Sequence, residues 1–104
     1  MKFSEYQEKS KEYILRSANN SQYLFTGLAG EVGEVCSLYA KAVRDKDGAV
    51  NSVDLAKELG DVLWFISQLA TYYGLSLDEI GKMNIAKLTD RKLRNKIGGS
   101  GDTR

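Results

Sequence analysis

The chain contains no proline among its 104 residues, and its apolar residues recur at spacings of three and four. Such spacings place apolar side chains on one face of an α-helix, and proline is the residue that interrupts a helix most strongly. Continuous β-branched runs are few. The sequence therefore predicts an all-α, four-helix bundle-like fold, and its length predicts one domain.

Turn and capping residues divide the chain into four predicted helices. Their predicted ranges are residues 3–17, 22–45, 52–73 and 76–93. A cap at Asn51 or Ser52 begins the third helix, and Gly74 suits the position just after its end. Ser76 and Glu79 have the spacing of a capping box, which places the start of the fourth helix there.

The third predicted helix is apolar around most of its circumference, through residues 62–66 and 69–73. A helix of this kind needs neighbours on several sides. We expect it to lie centrally in the chain and also in the interface of a homodimer or larger bundle. Trp64 is expected in that core or interface, and Cys36 is expected to be a small core residue.

The sequence has no histidine and a single cysteine. This excludes Ser-His and Cys-His nucleophile pairs, histidine-based zinc sites and Glu-x-x-His di-iron sites. Acid–base chemistry is left to carboxylates, Lys, Tyr or a metal-activated water. The net charge is +1, and no apolar run approaches the ~20 residues of a membrane span. We therefore expect a cytoplasmic protein that does not bind membranes.

An internal repeat places two pairs of acids on neighbouring helices. Residues 28–35 (LAGEVGEV) and 55–62 (LAKELGDV) share the pattern Leu-Ala-x-Glu-apolar-Gly-acid-Val. The acids are Glu31 and Glu34 in the first copy, and Glu58 and Asp61 in the second. Side chains three residues apart on a helix share a face, with Cβ atoms about 5–6 Å apart.

The first acid of each pair falls inside the apolar face of its helix. At 100° per residue, Glu58 lies within about 40° of Val62 and Phe65, and Glu31 lies equally close to Val35. Antiparallel packing of the two helices would direct all four acids into one space. Two like charges about 4 Å apart repel by roughly 4 kcal/mol at an effective dielectric near 20. Oxygen ligands without histidine or clustered cysteine select Mg²⁺, Mn²⁺ or Ca²⁺, so the pattern predicts a divalent-metal site.

The two acid pairs, separated by 23 residues, resemble the signature of the MazG-like all-α nucleoside triphosphate pyrophosphohydrolases. The resemblance covers nearly the whole chain and is typical of a compact single-domain member. The segments that carry it are residues 5–7, 27–34, 57–64 and 84–88 with Arg91. It implies a helical domain over residues 1–97. Composition alone predicts a flexible Gly-rich tail over 98–104, but its ending resembles that of phage-type members and implies a contribution to the substrate site.

The resemblance implies hydrolysis of a (deoxy)nucleoside triphosphate between the α and β phosphates, with Mg²⁺ as cofactor and Mn²⁺ as the alternative. The products would be a monophosphate and pyrophosphate, and the enzyme would be a homodimer or homotetramer. The implied catalytic and metal-binding residues are Glu31, Glu34, Glu58 and Asp61, with Glu34 or Glu58 as the candidate base. The implied substrate-binding residues are Tyr6, Gln7, Lys41, Asn84, Lys87, Arg91, Asp102 and Arg104. We also expect Ile80, Met83 and Leu88 to be core positions of the fourth helix.

Two other functions are compatible with the same residues. One is a non-catalytic helical oligomer that holds a structural divalent cation. The other is a nucleic-acid-binding module that contacts phosphates through residues 82–104, which carry seven basic and two acidic side chains. This segment has no aromatic residue to stack on bases, so a nucleic-acid partner is disfavoured.

Overall fold

The computed structural model describes residues 1–104 and contains four α-helices and no strand. The helices are α1 (Phe3–Ser10), α2 (Ser21–Asp45), α3 (Ser52–Tyr72) and α4 (Leu77–Leu93). Two 3₁₀ turns, Lys11–Tyr13 and Arg16–Ala18, connect α1 to α2. The predicted all-α fold is confirmed. None of the four helices combines the length and the apolar character that a membrane span requires.

Side-chain caps begin three of the helices. The carboxamide oxygens of Asn20 and Asn51 accept backbone N–H bonds at the starts of α2 and α3. The Ser76 hydroxyl accepts the N–H of Glu79 at 3.0 Å at the start of α4. Gly74 follows α3 with a φ of +72°, a conformation that favours glycine. The predicted boundaries of α3 and α4 are therefore confirmed to within a residue or two.

The predicted first helix over residues 3–17 is wrong, because α1 ends at Ser10. An α-helix continued through Ile14 would use the Ser10 carbonyl as the acceptor for the N–H of Ile14. That carbonyl instead accepts the indole N–H of Trp64 on α3 at 3.1 Å. The chain leaves the helix at this point and becomes extended at Ile14 and Leu15.

Buried hydrogen bonds also join α1 to α3. The Ser10 hydroxyl lies 2.8 Å from that of Ser67 and accepts the side-chain N–H of Gln68 at 2.9 Å. All three residues are buried. Every buried side-chain nitrogen or oxygen in the structure has a hydrogen-bond partner, so this layer carries no desolvation penalty from an unpaired group.

The helices α2 and α3 form an antiparallel hairpin. Gly27 faces the Phe65 ring, while Glu31, one turn later on α2, lies beside Glu58, two turns earlier on α3. Leu24 is completely buried and Phe65 is 7% exposed. Because α3 also contacts α1, it takes the central place that the sequence predicts.

Much of the apolar surface remains exposed in the single chain. Only 11 of 104 residues are buried, and six of these are hydrophobic. The predicted core positions Ile80, Met83 and Leu88 are exposed, and so is Cys36; these four expectations are wrong for the isolated chain. The three positions on α4 are exposed because this helix packs mainly against the short helix α1, which leaves the apolar side of α4 uncovered.

The close approach of α2 to α3 depends on the missing side chain at Gly27. A Cβ there would overlap the Phe65 ring. We expect Gly27→Ala to lower the free energy of unfolding by about 1–3 kcal/mol through overpacking, measured by urea denaturation. Gly30→Ala on the same helix is the matched control, because no atom lies within 4 Å of its added Cβ. It should raise stability by up to about 1 kcal/mol. Equal effects of the two changes would contradict the packing.

Candidate metal and nucleotide site

Carboxylates of α2 and α3 meet on one side of the hairpin. One oxygen each from Glu31, Glu58 and Asp61 lies within 4.8 Å of the others. Glu31 comes from α2, while Glu58 and Asp61 stand one turn apart on α3. These three residues, referred to below as the acid cluster, are where the repeat and antiparallel pairing predict them.

Glu34 is the acid that does not join the acid cluster. Its side chain is exposed, and none of its oxygens falls within the 4.8 Å group. Its charge still acts on the acid cluster, because it contributes to the raised pKa of Glu31. The structure thus brings three of the four predicted acids together and leaves the fourth at the edge.

Burial and the neighbouring acids act together on Glu31. Burial raises the pKa of this half-buried carboxyl above its ordinary value, and the charges of Asp61, Glu58 and Glu34 raise it further. Burial, followed by the charge of Asp61, also raises the pKa of Tyr6. The charge of Asp61 therefore acts on the Tyr6 phenol of α1, whose role in the site stays a prediction.

No cation of the chain neutralises the acid cluster. The five ion pairs all join other residues. An all-oxygen donor set with an uncompensated negative charge and no histidine or cysteine fits a hard divalent cation. Glu31, Glu58 and Asp61 are the residues that could hold such an ion.

The basic residues of α4 lie against the C-terminal residues. Lys87 pairs with the Asp102 carboxylate at 2.7 Å. Arg91 is buried and pairs with the same carboxylate at 3.3 Å. Asn84 and Lys87 line a cavity of about 510 Å³ whose apolar wall includes Met83. The structure therefore brings Asn84, Lys87, Arg91 and Asp102 together as one group.

Three other predicted substrate contacts are placed differently. Lys41 lines a separate cavity near the α2–α3 connection, and helix geometry puts it about 15 Å along α2 from Glu31. The Gln7 amide is buried, donates to Thr71 and Leu75, and accepts the N–H of Leu77. The Arg104 guanidinium donates to carbonyl groups of its own loop. Gln7 and Arg104 thus hold the fold together in this conformation, and both N–H groups of the Gln7 amide are occupied.

The sequence analysis missed the buried polar layer that positions α1. Its signal was the pair Ser67 and Gln68, which interrupts the apolar residues of α3. Polar residues in an otherwise apolar helix need buried partners, and α1 supplies one in Ser10. This layer and Gln7 fix the helix that carries Tyr6, so they position the site without forming part of it.

Comparison with known proteins identifies the family. The model of the MazG nucleotide pyrophosphohydrolase domain matches residues 19–94, which include α2, α3 and α4. The chain belongs to the MazG family. It is also 43% identical over 91 residues to "Gene 37 protein" of Mycobacterium phage L5, a match that covers 85% of this chain and 80% of that protein. That name states no activity. No solved structure matches.

The MazG assignment agrees with the acid cluster, since this family is generally dependent on a divalent metal. All four repeat acids lie within the matched residues 19–94. Tyr6, Gln7, Asp102 and Arg104 lie outside them, so their places rest on the structure of this chain alone.

The raised pKa of Glu31 makes the stability of the metal-free protein depend on pH. The folded chain binds the Glu31 proton more tightly than the unfolded chain does. The contribution of this proton to the free energy of unfolding is therefore lost as the pH rises through the raised pKa. At pH 7 we expect Glu31→Gln to be the more stable protein, by about 1 kcal/mol or less for a partly exposed group. The difference should shrink as the pH falls towards the ordinary value of 4.5. Thermal unfolding of both proteins in a chelator between pH 7 and 4.5 measures this difference in stability. A difference that widens as the pH falls would contradict repulsion between Glu31 and the neighbouring acids.

Proposed function

We propose that this MazG-family chain hydrolyses a (deoxy)nucleoside triphosphate between its α and β phosphates, giving a monophosphate and pyrophosphate, with Mg²⁺ as the cofactor. The observation that carries the proposal is the acid cluster, formed by the two repeat segments from adjacent helices. Mg²⁺ is typically bound by a few carboxylates together with waters and substrate phosphates. Mn²⁺ accepts similar oxygen ligands and is the alternative.

We assign metal binding and proton transfer to different acids at this site. Glu31, Glu58 and Asp61 hold the ion, which when bound supplies positive charge against the phosphate chain and activates water for attack. Glu34 lies outside the group of ligands but close to it. Its free carboxylate is therefore our choice for the general base, in preference to Glu58.

Tyr6 supplies a neutral hydrogen-bond donor beside these negative charges. A tyrosine phenol is protonated at neutral pH, and the raised pKa of Tyr6 favours this form further, so the hydroxyl can donate to an anionic phosphate or to a sugar. A Lys or Arg in place of Tyr6 would instead pair with the carboxylates and compete with the metal. Tyr6 is thus suited to contact substrate without neutralising the acid cluster.

The group on α4 supplies the positive charge that a phosphate chain requires. Lys87 and Asn84 share the cavity of about 510 Å³ with the apolar side chains of Leu75, Ile80 and Met83. The acids Glu79 and Asp102 also line this cavity. Its apolar wall suits the base of a nucleotide, and its amide and its lysine suit the anionic phosphate chain. We propose Lys87 and Arg91 for the phosphates and Asn84 for a polar contact. Lys41 is a secondary candidate because it lies farther along α2.

Product analysis tests the proposed reaction. With Mg²⁺ and a panel of nucleoside triphosphates, we expect pyrophosphate and the matching monophosphate, and no turnover in a chelator. Glu58→Gln should lower kcat at least about 100-fold by removing a ligand, while metal-free stability stays equal or rises. Asp47→Asn removes one charge in the exposed α2–α3 turn and should leave kcat unchanged.

Other products or stabilities would contradict the proposal in distinct ways. Orthophosphate as the product would place the cleavage at another bond. No turnover on any nucleotide, together with stabilisation by Mg²⁺, would support a structural metal in a non-catalytic scaffold. A large loss of metal-free stability in Glu58→Gln would show that Glu58 is a structural partner and not a free ligand.

We also propose that the functional unit is a homodimer or homotetramer. The chain exposes 7774 Å², whereas a compact monomer of 11.6 kDa exposes roughly 5,800 Å². Its radius of gyration is 16.5 Å, against about 13 Å for a compact domain of this length. The excess of roughly 1,900 Å² per chain is in the range that each partner buries in an obligate homodimer.

The apolar groove between α2, α3 and the start of α4 is our candidate for part of that interface. Its eight lining residues are all hydrophobic and include Phe25, Ile66 and Leu69. We expect the chain to migrate with at least twice its mass of 11.6 kDa in size-exclusion chromatography with light scattering. Phe25→Lys should shift the mass towards the monomer, because a charge would be buried. Leu15→Lys, at an exposed residue outside the groove, is the control. A monomeric wild-type protein would contradict the assembly.

A further inference from the structure

The C-terminal residues 97–104 form a closed loop. The Arg104 guanidinium donates to the carbonyls of Ile97, Gly98 and Gly101 at 2.9, 3.0 and 2.6 Å. The Arg104 carbonyl in turn accepts a hydrogen bond from Arg94 on α4 at 2.7 Å. The loop is therefore fixed at both ends by arginines, one inside it and one on the helix.

The same loop presents an anion to two cations of α4, Lys87 and Arg91. The Asp102 carboxylate accepts from Lys87 at 2.7 Å and from Arg91 at 3.3 Å, and the Asp102 backbone carbonyl also accepts from Arg91. The Arg91 side chain is only 6% exposed, and its two side-chain hydrogen bonds both go to Asp102. These are the two cations that the proposed function assigns to substrate phosphates.

The Asp102 carboxylate can be replaced by a phosphate chain as the anion that contacts Lys87 and Arg91. The Asp102 side chain is 79% exposed and that of Lys87 is 37% exposed, so their ion pair is open to solvent, and such pairs are weak and screened by salt. The hydrogen bond from Lys87 is the largest cause of the lowered pKa of Asp102, so this contact favours the ionised carboxylate. A phosphate chain carries more negative charge than one carboxylate, and it can accept from both cations as the Asp102 carboxylate does.

We propose that the loop of residues 97–104 is an internal anionic ligand of Lys87 and Arg91, which a polyphosphate displaces when it binds. Asp102 is the competing group, and Arg104 is a positioning residue that holds Asp102 against α4. The inference rests on the proposed function for the assignment of the two cations to phosphate. It adds that these cations are occupied before substrate arrives, so binding includes an exchange of one anion for another.

Binding of inorganic tripolyphosphate without metal tests the exchange. Removing the competing carboxylate in Asp102→Asn should tighten binding about three- to sixfold, the gain expected when a surface ion pair no longer competes. Asp47→Asn removes the same charge far along the hairpin and should change the dissociation constant less than twofold. Isothermal titration calorimetry at low salt measures all three proteins.

Arg104→Ala separates displacement from simple charge effects. The change removes a positive charge, so electrostatics alone predicts weaker tripolyphosphate binding. Our proposal predicts tighter binding, because the freed loop no longer holds Asp102 against Lys87. In the wild-type protein, the pKa of the Asp102 carboxyl, followed by NMR, should return towards its ordinary value of 3.8 when tripolyphosphate is saturating.

Weaker or unchanged binding in Asp102→Asn or Arg104→Ala would overturn the proposal, and so would the absence of any tripolyphosphate binding. These measurements need neither metal nor turnover. A protein that binds tripolyphosphate as expected but cleaves no nucleotide would therefore refute the proposed function while leaving the exchange intact. Normal nucleotide cleavage, with no effect of Asp102→Asn on tripolyphosphate binding, would refute the exchange and leave the proposed function intact.

Discussion

The contact between Gly27 and Phe65 sets the geometry on which the rest of the molecule depends. It brings α2 close to α3 in a fixed antiparallel register, and that register places Glu31 opposite Glu58 and Asp61. Shifting α2 by one residue would rotate its acids by about 100° and separate the two repeat segments. An apolar contact thus positions carboxylates that repel one another, and the free energy of burying Phe65 opposes that repulsion.

Periodic patterns in the sequence predict the hairpin and most of the acid cluster. The two copies of the repeat share one angular offset between acid and apolar face, so their convergence follows once the helices pack antiparallel. The position of Glu34 could not be obtained in this way. It stands about 60° from Glu31 on α2, at the edge of the apolar face, and whether such a side chain turns inward depends on packing that no spacing specifies. Its exposure is a property of the assembled hairpin.

Contacts between residues distant in the chain account for what sequence reasoning missed. The early end of α1 depends on a Trp64 indole 54 positions away, and no local signal at Ser10 encodes it. The core positions expected on α4 failed for a related reason, since apolar periodicity shows that a face needs cover and does not show what covers it. The C-terminal loop likewise lacks helical signals, and its order comes from Arg94 and Arg104.

The hydrogen bond from Trp64 to the Ser10 carbonyl also makes the chain spectroscopically convenient. Trp64 is its single tryptophan, and its ring stacks edge-on against Phe65 at 5.0 Å. One chromophore therefore touches both the docked N-terminal segment and the aromatic centre of the hairpin. Its emission wavelength would report detachment of α1 separately from global unfolding, because loss of α1 hydrates the indole nitrogen while the Phe65 contact persists.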